Sequence, residues 1–182
     1  MLILASASPR RRELLTYISP DFAVIDPNAD ESLPPSTSAR EGVEILALRK
    51  ARMVAGSHPE ATIVGADTIV ELDGVIYGKP VDKSDAFRML RELSGQEHFV
   101  YTGVAVISPR GERVFSQQTA VRFIELSDAD ILAYIKTGEP MDKAGAYAVQ
   151  GVGALFIEGI HGDFYNVMGL PICRLAQELQ GI

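Results

Sequence analysis

The sequence contains a single cysteine, and no apolar run in it is long enough to cross a membrane. Cys173 has no second cysteine in the chain with which to form a disulfide, which favours a reducing compartment. A membrane-spanning helix needs roughly 18 or more apolar residues in succession, and the apolar start at 1–6 lacks the basic segment of a secretion signal. We therefore expect a cytoplasmic protein without a membrane partner.

Basic residues are fewer than acidic ones. The chain has 17 Lys and Arg against 24 Asp and Glu, which gives a formal net charge of −7. Proteins bind the nucleic acid backbone through basic surfaces, so this balance argues against a nucleic acid partner. A local basic pocket can still bind a small anion, because charges farther apart than about 8 Å are largely screened at physiological salt.

Several common site patterns are also missing. The three histidines, at 58, 98 and 161, lie in separate segments without metal-ligand spacing, so we expect surface or structural roles for them. The segment 151–154 lacks the third glycine of a dinucleotide-binding fingerprint. The segment 78–80 lacks the upstream glycine and the Ser or Thr of a phosphate-binding P-loop.

Apolar periodicity, capping residues and turn signals predict alternating helices and strands. The expected strands are 2–5, 61–66, 68–72, 75–77, 99–107, 113–124 and 154–157, and the expected helices are 9–18, 39–55, 83–93, 128–137 and 170–179. The pair Asp67-Thr68 is expected to interrupt an extended stretch, and 26–38 to form a surface loop. This interleaving predicts an α/β class with a mixed sheet, in a single domain over 1–182.

Three consecutive arginines, 10–12, follow a helix cap at Ser8. The free N–H groups and the positive dipole end of a helix already favour an anion, so arginines in the first turn are unfavourable unless an anion compensates them. A phosphate ligand explains this arrangement, since the arginine fork matches phosphate oxygens. The alternative is that the arginines pair with Glu13, Asp21 or Asp26 on a solvated face.

Asp67 directly follows an apolar strand. A carboxylate there is either bound by backbone donors in an Asx-turn or reserved for metal or proton chemistry. Lys79 lies in a Gly-Lys-Pro turn. It is either a residue that binds phosphate or an ordinary exposed lysine. Gln150 ends a segment of polar and small residues and offers both the donor and the acceptor needed to read a base edge.

Four segments, taken together and in order, closely resemble the Maf family. They are LASASPRRRELL at 4–15, VGADTIV at 64–70, DKAGAY at 142–147 and NVMGLP at 166–171. The resemblance covers essentially the whole chain. It implies a Maf/inosine-triphosphatase-like α/β fold, with an elongated mixed sheet flanked by helices and a cleft between two lobes. It also implies hydrolysis between the α and β phosphates of a nucleotide, dependent on a divalent cation such as Mg²⁺ or Mn²⁺.

The resemblance further implies roles for individual residues. Asp67 matches the general base or metal-side carboxylate, and Glu31 and Asp67 are the candidate metal ligands. The family's substrate-specificity positions map onto Arg10, Thr68 and Gln150. The further substrate-binding matches are Ser8, Arg11, Glu31, Lys50 and Lys79. Family members are often dimers, so a homodimer is the assembly that the resemblance suggests.

The segment 145–150 resembles the family branch that acts on dTTP and UTP rather than the branch that prefers 7-methyl-GTP. It reads Ala148-Val149 where Gly-Ile is usual. The expected function is hydrolysis of pyrimidine nucleoside triphosphates to the monophosphate and pyrophosphate, which removes unwanted nucleotides from the pool. One alternative is a nucleotide-binding regulator of septum formation with little turnover. A second is another phosphohydrolase, although 66–69 lacks the two-aspartate haloacid-dehalogenase motif.

Overall fold

The computed structural model describes residues 1–181, in which one seven-stranded mixed sheet is flanked by helices. Ile182, the last residue of the predicted domain, lies outside the described residues. The strands are β1 Leu2–Ala5, β2 Ala23–Ile25, β3 Thr62–Leu72, β4 Val75–Tyr77, β5 Glu97–Ser108, β6 Gly111–Phe123 and β7 Ile157–His161. The helices are α1 Pro9–Thr16, α2 Ala39–Ala55, α3 Lys83–Leu93, α4 Asp128–Lys136, α5 Phe164–Met168 and α6 Ile172–Gln180. Short 3-10 turns occupy Glu139–Asp142, Ala144–Ala146 and Val152–Phe156.

The sheet has the strand order β2-β1-β3-β5-β6-β7, with β4 paired to β3. Strand β1 runs parallel to β2 and to β3, and the other pairings are antiparallel. Each parallel pair is joined through a helix, as parallel strands require, whereas β5 and β6 form the long hairpin that the sequence predicts. The predicted mixed α/β sheet is therefore confirmed.

Helix α2 packs unusually close to the sheet. Ser38 and Glu41 form the predicted capping box at its start. Two glycines on neighbouring strands allow the approach: a Cβ at Gly65 would lie 2.5 Å from the Ala47 carbonyl oxygen, and one at Gly103 would lie 2.3 Å from that of Val43. Side chains on the inner face of α2 are therefore brought directly against β3 and β5.

The two faces of β3 carry different helices, because successive side chains of a strand point to opposite sides. On one face Ile63 packs in a cluster with Ala51 of α2. On the other face Val64 packs in a cluster with Leu14 of α1 and with residues of α6. Farther along that second face, Val70 packs in a cluster with residues of α3 and α4. Asp67 and Thr68, which are adjacent, therefore face opposite sides of the sheet.

One edge of β3 is only partly paired. Strand β5 covers its other edge from Ile63 to Glu71. On the partly paired edge, β1 is bound up to Gly65 and β4 is bound from Val70 onward. Within the described residues no strand pairs with this edge over 66–69, a stretch that we call the β3 gap. The gap opens where β1 ends, beside the arginines of α1.

Asp67 and Thr68 do not interrupt the strand, so that prediction was wrong. They pair in register with Gly103 and Thr102 inside one continuous β3. In the sequence this polar pair looks like the end of a strand, but the pairing with β5 continues through both residues. The Asx-turn considered for Asp67 is wrong for the same reason.

The predicted strand 154–157 is also wrong. Residues Val152–Phe156 form a 3-10 turn whose first N–H groups bind the Glu139 carboxylate instead of a neighbouring strand. Extended pairing begins only at Ile157, which lies opposite Phe123 of β6.

Strand β2 and helix α5 were not predicted, and the final helix begins at Ile172 because Pro171 occupies its cap position. The predicted hairpin turn at 73–74 and the predicted helices α2, α3 and α4 are confirmed.

No helix within residues 1–181 combines the length and the apolar character needed to cross a membrane.

His98 lies fully buried on β5. Its ring meets Phe123 edge-on at a centroid distance of 4.9 Å, and its Nε2 hydrogen-bonds with the Tyr147 hydroxyl at 2.8 Å. Burial lowers the pKa of His98 to about 4. The structural role expected for this histidine follows from its place in the core.

We expect His98 to make folding stability fall as the pH falls below neutrality. The unfolded chain takes up a proton near pH 6.5, whereas the folded chain resists protonation down to about 4, so acid favours unfolding. Between pH 7 and pH 5 this difference amounts to about 2 kcal/mol. Urea unfolding at the two pH values, for the wild type and for His98→Gln, measures it. An equal loss of stability in both proteins would contradict the assignment.

Candidate active site

A buried lysine joins two carboxylates on the α2 face of the sheet. Lys50 Nζ donates to Asp67 Oδ1 at 2.5 Å and to Glu31 Oε1 at 2.7 Å. Lys50 is 8% exposed and lies on the same helix face as Val43 and Val54. A lysine within an apolar helix stripe is therefore the sequence signal for this residue. The structure brings together three of the predicted site residues, including Glu31, which lies in the predicted surface loop.

The charges around Glu31 keep it ionised. The hydrogen bond from Lys50 has the largest effect and lowers the pKa of Glu31, while burial acts in the opposite direction. The positive charges of Lys79 and Arg11 lower this pKa further. Lys79 itself is exposed, in the turn after β4.

Arg11 lies on the other face of the sheet and is bound only by neutral oxygens. Its Nε donates to the Gly169 carbonyl at 2.8 Å, and its Nη2 donates to Thr68 Oγ1 at 2.9 Å. A longer bond of 3.4 Å joins Nη1 to Ser6 Oγ. Burial lowers the pKa of Arg11, and the charge of Asp67 opposes that change. Within residues 1–181 no carboxylate oxygen lies within 4.0 Å of its guanidinium.

Two hydrogen-bonded threonines, of which Thr102 is fully buried and Thr68 half-buried, fix the partner of Arg11. Thr68 and Thr102 share a hydrogen bond of 2.9 Å, and the Thr102 hydroxyl donates to the Asn166 carbonyl at 2.8 Å. Because Thr102 uses its only hydrogen on that carbonyl, Thr68 must be the donor in the shared bond. Thr68 therefore meets Arg11 with a lone pair. The Asn166 side chain is itself anchored, since its Nδ2 donates to the Val100 carbonyl at 3.0 Å.

The remaining arginine and serine residues of the first motif are less constrained. Ser8 caps α1 and accepts a hydrogen bond from the Arg11 N–H at 3.4 Å. Arg10 reaches Asp142 only at 3.8 Å, and 27% of its side chain is exposed. None of the three arginines pairs with Glu13, Asp21 or Asp26 within residues 1–181, so the alternative of pairing on a solvated face is wrong.

Gln150 directly follows a residue that packs against the β3 gap, and within residues 1–181 it has no hydrogen bond to a charged side chain. It is half-buried and follows Val149, which packs in the same cluster as Ala66 and Leu4. In the part of the chain that the structure describes, its side-chain amide has no hydrogen-bond partner. Both the donor and the acceptor of the Gln150 amide are therefore unused within these residues.

The sequence did not reveal the residues that hold this site together. Thr102, Asn166 and Gly169 fix Arg11, yet none of them was a candidate. Thr102 lies in an apolar strand, where a threonine is ordinary. Asn166 and Gly169 lie in one of the four family-like segments, but their contacts arise only once α5 is folded against β5. The pairing of Thr68 with Thr102 across two strands follows from register alone.

The comparison that decides the family is a sequence profile. The profile of the family described as Maf-like protein matches residues 1–182. The chain belongs to the Maf family. The resemblance noted in the sequence is thereby confirmed.

Similar proteins cover nearly the whole Maf chain. A protein from Geobacillus sp. (strain WCH70) named dTTP/UTP pyrophosphatase is 47% identical over 179 residues, which are 98% of this chain and 96% of that protein. A protein of the same name from Symbiobacterium thermophilum is 52% identical over 178 residues, 98% of this chain and 92% of its own length. A third, from Moorella thermoacetica, is 50% identical over 184 residues, 98% of this chain and 93% of that protein.

A solved structure supports the fold. The Staphylococcus aureus Ham1 protein superposes with a TM-score of 0.56 at 16% sequence identity, and the match covers 99% of this chain and 98% of that chain. At this identity the likeness concerns the arrangement of strands and helices alone. It agrees with the predicted elongated mixed sheet flanked by helices.

Proposed function

We propose that this Maf protein hydrolyses dTTP, UTP and related pyrimidine nucleoside triphosphates to the nucleoside monophosphate and pyrophosphate. Relatives that are 47–52% identical over 98% of the chain carry the name dTTP/UTP pyrophosphatase. The observation that carries the proposal is the state of Arg11, a half-buried cation bound only by neutral oxygens.

A partly buried cation without a carboxylate in direct contact is unfavourable, because burial removes part of the stabilisation that water provides. Arg11 uses one N–H on each of its three nitrogens for protein oxygens. Each of the two terminal nitrogens keeps one further N–H. These two N–H groups can bind two phosphate oxygens. A triphosphate bound at the β3 gap would supply the missing negative charge, with Arg10, Lys79 and Ser8 beside it.

Asp67 is the residue we propose as general base. One of its carboxylate oxygens accepts the Lys50 hydrogen bond, and in residues 1–181 the other oxygen has no hydrogen-bond donor. Lys50 thus fixes the orientation of the carboxylate and leaves one oxygen able to accept a proton from an attacking water. Positioning of this kind contributes more to phosphoryl transfer than covalent chemistry does.

Glu31 and Asp67 suit a divalent cation such as Mg²⁺ or Mn²⁺. Both carboxylates bind the Lys50 ammonium through one oxygen, at 2.7 and 2.5 Å, and each keeps a second oxygen that could bind a cation beside the lysine. The described residues contain no group of three or more His, Cys, Asp or Glu side chains that could hold a metal ion. The pair therefore suits Mg²⁺, which usually takes one or two carboxylates and completes its shell with phosphate and water oxygens. When bound, such a cation neutralises charge on the phosphates.

A regulator with little turnover is the less favoured function, because the similar proteins are named for a catalysed reaction. Four expectations from the sequence stay predictions: a single domain over 1–182, a cytoplasmic location, a homodimer and the absence of a nucleic acid partner. The role of the site residues in substrate binding, including Gln150 and Thr68 as specificity positions, is likewise part of the proposal.

A nucleotide panel tests the proposed substrate. We expect pyrophosphate release to be fastest with dTTP and UTP among dTTP, UTP, CTP, ATP, GTP and 7-methyl-GTP, each assayed with Mg²⁺ and with Mn²⁺. The reasons are the name that the relatives carry and the free amide of Gln150, which can pair with a pyrimidine edge once its orientation is fixed. Turnover of ATP or GTP at least as fast as both pyrimidine nucleotides would contradict the proposed specificity.

A further inference from the structure

The loop 148–153 carries Gln150 and is anchored before it by Tyr134 of α4. The Tyr134 hydroxyl accepts a hydrogen bond of 3.2 Å from the Ala148 N–H. The same hydroxyl donates to Glu139 Oε1 at 2.8 Å. The Tyr134 ring is buried and meets Phe156 edge-on at a centroid distance of 5.0 Å, so the core fixes its position.

The other end of the loop is anchored by the Glu139 carboxylate. Glu139 Oε2 accepts the Val152 N–H at 3.1 Å, and Oε1 accepts the Gly153 N–H at 3.0 Å. Burial raises the pKa of Glu139, but these N–H groups and the Tyr134 hydroxyl together lower it below its ordinary value. The carboxylate is therefore ionised at neutral pH and binds the loop through charge-assisted hydrogen bonds.

Gly151 allows the loop to approach this carboxylate. Its backbone has φ +81°, and a Cβ at this position would lie 2.4 Å from Glu139 Oε2. The glycine-rich segment 151–154, which lacks the dinucleotide fingerprint, thus has a local role. It lets the chain close around Glu139 directly after Gln150.

The position of Gln150 matters because its amide alone cannot distinguish two pyrimidines. A half-turn of the amide exchanges its donor and its acceptor. Uracil offers the N3–H donor and the O4 acceptor, and cytosine offers an N3 acceptor and an amino donor, so one of the two orientations suits each base. Discrimination therefore requires that Gln150 be fixed relative to the rest of the site.

We propose that Tyr134 and Glu139 are positioning residues for Gln150 and that, through loop 148–153, they determine the preference for uracil over cytosine nucleotides. The proposal rests on the function proposed above. Three hydrogen bonds flank Gln150 on both sides and leave its side chain free, and a fourth joins Tyr134 to Glu139. Within residues 1–181 neither residue hydrogen-bonds to Arg11 or Asp67, so we expect the chemical step itself not to depend on them.

Tyr134→Phe tests the proposal, since it keeps the buried ring and removes only the hydroxyl. We expect faster amide hydrogen exchange in 148–153 and a ratio of affinities for α,β-methylene UTP over α,β-methylene CTP that falls by about tenfold, the effect of roughly one lost hydrogen bond. We also expect the KM for UTP to rise while kcat stays near that of the wild type. Glu139→Gln, a second variant of similar shape, should change all three in the same direction.

Tyr101→Phe is the matched control, because it removes a hydroxyl from a half-buried tyrosine of β5 away from the loop. If Tyr134→Phe exchanged faster in the loop but kept the same affinity ratio, its role would be purely structural and the proposal would be overturned. Unchanged amide exchange in the loop would overturn it as well. A wild-type protein that bound both analogues but released no pyrophosphate would contradict the proposed function instead. The affinity ratio would then still decide the role of Tyr134 and Glu139.

Discussion

Asp67→Asn is expected to lower kcat by about 10²–10⁴-fold, the range that a general base typically contributes. Asparagine keeps the shape of the side chain and can still accept the Lys50 hydrogen bond, but it has no basic oxygen. Lys50 also keeps Glu31 as a charged partner at 2.7 Å, so the fold should survive the substitution. Substrate affinity is expected to be equal or higher, because a negative charge near the phosphates is removed.

Pyrophosphate release, melting temperature and affinity for a non-hydrolysable dTTP analogue measure these three effects separately. Asp21→Asn is a suitable control, since Asp21 is exposed and distant from Lys50 in sequence. Near-normal turnover in a well-folded Asp67→Asn protein would exclude Asp67 as the base. Its bond to Lys50 would then have only a structural role.

Arg11→Ala is expected to lower kcat/KM by about ten- to a hundredfold, chiefly through a higher KM. The side chain offers two unused N–H groups to a phosphate, and alanine offers none. Arg11→Lys restores the charge without the fork, so we expect it to recover only part of the loss.

Arg12→Ala is the matched control, because Arg12 lies on the same helix turn but is exposed. Steady-state kinetics with UTP and thermal unfolding of all three variants make the comparison. Equal kinetics for Arg11→Ala and Arg12→Ala would mean that Arg11 does not bind the substrate. That result would remove the main support for a bound triphosphate.

Local sequence signals were enough for much of the fold. The Ser38–Glu41 capping box, the Asp73-Gly74 turn and the alternation along 97–123 each act over a few residues, so they could be recognised without tertiary contacts. The errors arose where partners distant in sequence decide the structure. The 152–156 turn follows from Glu139, and the continuity of β3 through Asp67 follows from β5.

The charged residues of the site could be predicted better than their arrangement. The arginine motif, Asp67 and the Lys79 turn were recognisable as chemistry, and Glu31 and Lys50 came from the family resemblance alone. The sequence did not show that Asp67 and Thr68 face opposite sides of the sheet, because the apparent break in β3 concealed their alternation. It also did not show that Arg11, rather than Arg10, is the arginine held by Thr68 and Gly169.

The products of UTP turnover test the central claim most directly. We expect ³¹P NMR of a reaction with Mg²⁺ to show UMP and pyrophosphate formed in equal amounts, because the proposed hydrolysis breaks the bond between the α and β phosphates. The same reaction with Asp67→Asn should show neither product at a comparable rate. Formation of UDP and inorganic phosphate by the wild-type protein would contradict the account.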